Sequence, residues 1–351
     1  MSADVQAPAL DPVALDPEAA VAVAEHLYEQ GWTDGLPALP ATEEAVAEFL
    51  AATTRDPDEV VGRVVQLERE ATVRDVAINA VMAGCRAAYF PVVLAAWDAL
   101  NAERTARGGG WQSTSGPAPL VIVNGPIRHE LEVNGDGGAL GPGFRANATI
   151  PRAIGFTVRN TFGIRPRELE QATQGLPGRW TLGIAEAEEA SPWESLAVEN
   201  GIAEGENAVS TMLVRTLEFV DNRSFTGPED VLRDFADTMQ RSGSWIGRHG
   251  SAGIVMNPEH AKLFAEAGMS KQDVREWLVA RAGKTEGQLA AVGKGLSHLP
   301  EGPFDADHFH PLFADATPAT LPIVVAGSPN AAMSMVVRVF GAWSGRSFPV
   351  R

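Results

Sequence analysis

The chain has 351 residues, 45% of them hydrophobic and 21% charged, with a formal net charge of −17. This size and composition describe a globular chain with enough apolar material for two domains or one large α/β domain, and the acidic balance argues against general binding to nucleic acid or to anionic membranes. No apolar run reaches the roughly 18 residues of a membrane span, the N-terminus lacks a leader pattern, and the single cysteine, Cys85, permits no intrachain disulfide, so a cytoplasmic protein is the simplest expectation.

Residues 1–16 are rich in Pro, Ala and Asp and read as a flexible tail. Residues 17–118 read as a largely helical part. Residues 119–351 read as an α/β part, separate from the first or continuous with it. Pro17 opens a helix that ends at the turn 31–37, where Trp32 and Asp34 are candidate ligand contacts set against a merely packed turn. Thr42 starts a second helix. Thr72 caps a third, which Gly84 stops, and Asn79 is a polar residue within its apolar stretch. Residues 86–100 form a fourth helix with Pro91 near its start. Cys85 lies at the junction of the last two. It is a candidate nucleophile, but no base stands near it in the sequence, and a buried inert thiol is the alternative. Residues 101–118 read as a Gly/Ser linker.

The chain is organised around residues 120–162. A β-branched strand over 119–124 closes on the turn Asn124-Gly125-Pro126. The loop 134–144 carries five glycines in eleven residues, and a helix opens at Arg145. Asn147 reads as its N-cap and Pro151 as a first-turn residue. Ile150, Ile154, Val158 and Phe162 mark its buried face. A glycine-rich loop leading into a helix N-terminus presents backbone N–H groups to an anion. Charge agrees: residues 121–167 hold six arginines against three acids. Asn124, Arg128, Asn134, Gly143, Arg145, Asn147 and Arg152 are the candidate binding residues, with a purely structural loop as the alternative. Neither a P-loop nor a dinucleotide fingerprint is present, so no nucleotide cofactor is indicated.

A second strand is expected over 179–185. Glu186, Glu188 and Glu189 follow it, then Ser191-Pro192-Trp193. Carboxylates there suit general acid/base work, metal binding or pairing with the arginines; a solvated acidic turn is the alternative. Residues 209–220 read as one long strand or a strand pair, 228–239 as an amphipathic helix, and 251–256 as a short strand. Pro258 starts another helix, and Ser270 caps one that reads as a surface cover. Residues 283–321 show little periodicity, and Asp305, Asp307, His308 and His310 are weak metal-ligand candidates. Residues 321–327 form a last buried strand, and Pro322-Ile-Val-Val-Ala-Gly-Ser-Pro329 echoes the strand at 120–126. The expected fold class is α/β, a mixed sheet flanked by helices, with two related strand–loop–helix units. Ligands in such folds sit beyond the carboxyl ends of strands, which would gather the 124–147 loop, the 186–193 turn and the 327–334 turn.

Six segments carry a resemblance: Gly31-Trp-Thr-Asp-Gly-Leu-Pro37, Ala77-Ile-Asn-Ala-Val-Met-Ala-Gly-Cys85, Val123-Asn-Gly-Pro-Ile127, Gly141-Pro-Gly-Phe-Arg-Ala-Asn-Ala-Thr149, Ile184-Ala-Glu186 and Glu188-Glu-Ala-Ser-Pro-Trp193. They resemble a bacterial family without a settled function, found beside small thiol or selenol proteins with a selenocysteine-Gly-Ser-Cys motif. The resemblance spans most of residues 30–280. It implies one site gathering these Asn, Arg and Glu positions, and a redox partner. It also implies a second cysteine where this chain has Gly183, so thiol-pair chemistry within this polypeptide is not expected.

Three functional readings follow. The first is an enzyme for a small anionic metabolite, with Arg145, the loop amides and Arg128 or Arg152 holding the anion. Glu186 or Glu189 would move a proton, and Trp32 or Trp193 would exclude water, in an elimination, a hydrolysis or a partner-assisted reductive step. The second is a non-catalytic subunit docking a thiol or selenol partner. The third is a metal-dependent hydrolase using residues 305–310. The sequence leaves the oligomeric state open, including a homo-oligomer.

Overall fold

The computed structural model describes residues 17–241, 250–293 and 302–351; the expected tail at 1–16 lies outside them. Its centre is a seven-stranded mixed sheet, curled into a partly open half-barrel and flanked by helices. In chain order the strands among the described residues are β1 (Val60–Val64), β2 (Arg69–Thr72), β3 (Ala118–Asn124), β4 (Gly183–Ala185), β5 (Ala208–Asp221), β6 (Ala252–Met256), β7 (Gly283–Thr285), β8 (Phe309–Pro311), β9 (Ile323–Val325), β10 (Met333–Val339) and β11 (Ser347–Pro349). The central order is β4-β3-β5-β10-β6-β9, with β11 beside β5. β1–β2 and β7–β8 are separate antiparallel pairs.

The sheet has an internal repeat of topology. β3 runs parallel to β4 and antiparallel to β5; β6 runs parallel to β9 and antiparallel to β10. β5 and β10 pair antiparallel in the middle, so the order β4-β3-β5 returns reversed as β10-β6-β9. Two related units are therefore present, but with other partners than the sequence echo proposed. β9 corresponds to β4, and β3 corresponds to β6, where Val-Ile-Val-Asn124-Gly-Pro matches Ile-Val-Met-Asn257-Pro in position. The echo misled because any buried strand of a parallel pair is a short β-branched run. No helix follows β9 directly; a turn leads to β10.

Alternate residues of the strands feed different cores, as a period of two requires. Val121 and Val123 of β3, with Val209 and Leu213 of β5, face the helices Val73–Ala83, Phe90–Ala102 and Arg145–Phe156. Leu120 and Ile122 face the hollow of the sheet with Ile184, Met212, Val255, Val324 and Val337. The second unit's outer face is covered by the helices Pro228–Gln240, Pro258–Glu266 and Lys271–Arg281. The first core crosses position 118, so the N-terminal helices are one layer on β3 and β5.

Most local signals hold. Thr72 caps its helix in a reciprocal capping box with Asp75, and Gly84 ends it at φ 87°. Asn257 and Ser270 cap theirs. The β1–β2 hairpin was not expected within a part read as helical, and the Gly/Ser stretch after residue 101 packs Trp111 fully into the core. Asn147 is not the N-cap of its helix: that position is Phe144, and Pro151 lies inside the helix. The helix already begins at Arg145, so both residues fall a turn deeper than the capping pattern suggests. Ile150, Ile154, Val158 and Phe162 are all buried, and the last turn, Thr157–Thr161, widens to a π turn.

Candidate functional site

The carboxyl ends of β3, β4, β6 and β9 converge, and their loops are stitched together. Ala187 N–H donates to the Val325 carbonyl (2.8 Å), and Gly327 N–H to the Gly135 carbonyl (2.8 Å). Asn257 Nδ2 donates to the Ser328 carbonyl (2.9 Å). The glycine-rich loop, the turn after β4 and the turn after β9 thus meet at one mouth of the curled sheet.

Glu186 lies at its centre, with no exposed surface. Its Oε2 accepts from Asn124 Nδ2 and from Leu196 N–H, both at 2.8 Å. Its Oε1 has no hydrogen-bond partner among the described residues and faces Lys271 Nζ at 3.7 Å. Asn124 Oδ1 is buried and equally unpartnered. Burial raises the Glu186 pKa; Lys271 and the Asn124 bond oppose the shift without cancelling it. Lys271 also bonds Glu199 Oε2 at 3.1 Å, and Arg275 grips Glu199 at 2.7 and 2.9 Å. The result is a buried chain of alternating charge, Glu186–Lys271–Glu199–Arg275, joining the two units.

Arg128, 5% exposed, holds the turn above this centre. It donates to the carbonyls of Gly125 and Glu186 and to the carboxylates of Glu188 and Glu189. Glu188 also accepts from Asn124 Nδ2 and Gly125 N–H. The Arg128 bonds hold the Glu189 carboxyl down at about 2, so at neutral pH it is an ionised anchor and a poor proton donor. Trp193 packs on the second unit's core and donates from its indole to the Met269 carbonyl (3.1 Å), pinning the far end of the turn.

Asn147 orders the glycine-rich loop. Its Oδ1 accepts from Asn134 N–H (2.8 Å), and its Nδ2 donates to the carbonyls of Asn134 (2.9 Å) and Gly183 (2.8 Å). Asn134 in turn accepts from Asp136 N–H and donates to the Gly137 carbonyl. Pro151 leaves the Asn147 carbonyl without its usual helical donor, and Gly183 passes close beneath it. A Cβ at Gly183 would lie 2.7 Å from that carbonyl oxygen, so no larger side chain, cysteine included, fits without a shift. Gly137, Gly138 and Gly143 stay exposed, with Arg145 beside them.

The remaining expected site residues form a different group, on the outer side of the helix Arg145–Phe156. Arg152 makes a bidentate pair with Asp34 (2.7 and 2.8 Å) and donates to the Pro37 carbonyl. Arg145 donates to the Gly84 carbonyl (2.8 Å). Asn160 Nδ2 bonds Asn79 Oδ1 and the Trp32 carbonyl, and Asn79 donates to Asp75 O and Thr161 Oγ1. These bonds fasten the 31–37 turn to the helix. Cys85 is buried, its thiol on the Thr149 carbonyl, and burial pushes its pKa up to about 12. That burial disfavours the thiolate a nucleophile needs.

The histidine-rich segment forms a third group. Glu286, His308 and His310 present ligand atoms within 4.8 Å of one another. Asp307 is outside that set, and its N–H bonds Asp305. Glu286 was missed because it lies some twenty residues away in sequence.

The other residues missed by sequence reasoning are Lys271, Arg275 and Glu199. A signal existed: Lys271, Val274, Arg275 and Leu278 stand at i, i+3, i+4 and i+7, the spacing of a buried stripe. Two cations on that stripe require buried acids opposite.

Comparison with known proteins gives no match: no family model, no curated protein and no solved structure is significantly similar to this chain. The resemblance to the family found beside thiol and selenol proteins therefore rests on its motifs alone.

Proposed function

We propose that the protein is an enzyme that moves a proton at Glu186 on a small anionic metabolite held at the mouth of the sheet. The supporting observation is the Glu186 carboxyl itself: its pKa is raised by burial, one oxygen is fixed by two donors, and the other faces an ammonium with no hydrogen bond of its own. Acid/base groups are tuned in this way, and a positioned carboxyl contributes roughly 10²–10⁴-fold in rate. The exposed glycines 137, 138 and 143, with Arg145 following them at the helix N-terminus and swinging from its Gly84 bond, are assigned the anion-holding side. Glu186 has no exposed surface, so a ligand reaches the carboxyl only through a movement of the surrounding loops. An elimination, a hydrolysis and a partner-assisted reductive step all use such a group.

The test is a thermal-shift screen of small carboxylates and phosphates on wild type, Arg145→Ala and Glu186→Gln, followed by turnover of whatever binds. Arg145→Ala should lose the shift. Glu186→Gln should keep binding and lose turnover. Turnover by Glu186→Gln at the wild-type rate would remove Glu186 from the chemistry.

A second reading is favoured by a separate observation. Trp32, Leu36, Leu39 and Phe144 are large apolar side chains 41–60% exposed, beside the Arg145 and Arg152 contacts, and burial disfavours a thiolate at Cys85. In this reading the chain docks a thiol or selenol protein that carries the reactive group. Turnover by the isolated chain decides against it.

A further inference from the structure

We infer that Glu286, His308 and His310 form a binding site for a divalent transition-metal ion of the zinc type, distinct from the Glu186 centre. The inference does not depend on the proposed enzymatic reading. The backbone builds the cluster. β7 and β8 are an antiparallel pair in which Thr285 faces Phe309, and the next residue, Glu286, donates its N–H to the His308 carbonyl at 3.0 Å. Glu286 is therefore the cross-strand neighbour of His308. His308 and His310 are two residues apart on an extended segment, so their side chains leave on the same face. Their rings meet edge to face, with centroids 4.7 Å apart.

The side chains are already drawn in. His310 Nε2 lies 3.0 Å from Glu286 Oε1, and both side chains are largely buried, at 14% and 13% exposure. Glu286 Oε2 is held by Asp305 N–H at 2.8 Å, which orients the carboxylate toward the imidazoles. Such outer bonds to a ligand carboxylate are characteristic of metal sites. A reciprocal capping box of Thr285 and Gln288 fixes the backbone next to Glu286.

The donor set selects the ion. Two imidazoles and one carboxylate suit zinc, cobalt or nickel, while calcium and magnesium take oxygen ligands. At zinc, bonds of ~2.0–2.2 Å place tetrahedral ligand atoms about 3.4 Å apart. The three donor atoms lie within 4.8 Å, so side-chain rotation of about an ångström closes the set. His308 is exposed, which leaves the fourth position to water or to an incoming ligand. Bound, the ion would cross-link β7, β8 and the 305–308 turn, adding a constraint to a small two-stranded pair.

The experiment uses the full chain stripped with a chelator and titrated with Zn²⁺ alone by calorimetry, with Co²⁺ absorption as the second readout. Wild type should take up one equivalent, and Co²⁺ should give the visible spectrum of a nitrogen-ligated site. Outer-shell changes alone cost 10–100-fold in metal affinity, so losing a ligand in His308→Ala should weaken binding by at least about 100-fold. His308 is at the surface, so that variant should fold as wild type does, and circular dichroism checks it. Glu286→Gln should weaken binding while retaining the two imidazoles. Absence of stoichiometric binding to wild type, or binding to His308→Ala and His310→Ala as tight as to wild type, overturns the site.

Discussion

Lys271→Met tests the buried centre directly. The substitution keeps the length and apolar stem of the side chain and removes only its charge. Glu199 keeps both Arg275 bonds, at 2.7 and 2.9 Å, but loses its Lys271 bond at 3.1 Å. Glu186 keeps its two donors but loses the ammonium 3.7 Å from Oε1. At an effective dielectric of about 20, a charge pair at that separation is worth about 4–5 kcal/mol. Removing one member of a buried pair costs ~3–5 kcal/mol for the same reason. Glu186 has one way to avoid that cost, which is to take up a proton. Burial already raises its pKa, and loss of Lys271 raises it further. An acid whose folded pKa lies above its unfolded value contributes stability that is fully present below the unfolded pKa. That contribution is lost as pH rises through the folded pKa, at up to about 1.4 kcal/mol per pH unit. The Lys271→Met deficit should therefore be smallest at acid pH and grow toward neutral pH. Urea denaturation of wild type, Lys271→Met, Glu186→Gln and the double variant across this range measures it. The double variant should lose the pH dependence and exceed Lys271→Met in stability at the alkaline end. A Lys271→Met deficit that stays constant with pH, or that Glu186→Gln does not relieve, would refute the coupling.

Two further predictions concern the loop and the thiol. Asn147→Ala strips the side-chain partner from the Asn134 N–H and from the Gly183 carbonyl and leaves the Asn134 carbonyl only its bond from Ala185 N–H, so a loss of about 2–4 kcal/mol is expected from the cost of unsatisfied buried groups. Amide hydrogen exchange should accelerate over residues 134–143 in that variant; an unchanged loop would mean that Asn147 does not order it. Cys85, with a pKa of about 12, is thiolate at only about one part in 10⁵ at pH 7. A colorimetric thiol reagent should therefore label it only at the rate of unfolding, and rapid native labelling would contradict the burial.

Local chemistry made much of the fold legible. Thr72, Asn257 and Ser270 announce helix starts because a short polar side chain satisfies an end N–H within three residues. The runs at 119–124, 251–256 and 321–327 announce strands because burial on both faces removes every polar position. The site was legible where its parts are loops next to strands: Asn124, Arg128, Glu186 and Glu189 do meet, and the three expected loops share one mouth. What the residues alone could not give was the partner of each. Arg128, Arg145 and Arg152 counted as free cations in the sequence, yet Arg128 and Arg152 are paired with acids, and all three donate to carbonyls.

The sequence by itself determined most of the helices, the buried strands and the glycine loop, since caps, periodicity and backbone restrictions act over a few residues; the β1–β2 and β7–β8 pairs escaped it. Only the tertiary structure decided that β3 is matched by β6, that Lys271 and Arg275 turn inward to Glu186 and Glu199, and that Glu286 joins His308 and His310. Each of those is a contact between distant segments. Its energy depends on burial and on opposite charge within about 4 Å, and neither can be read from residue order.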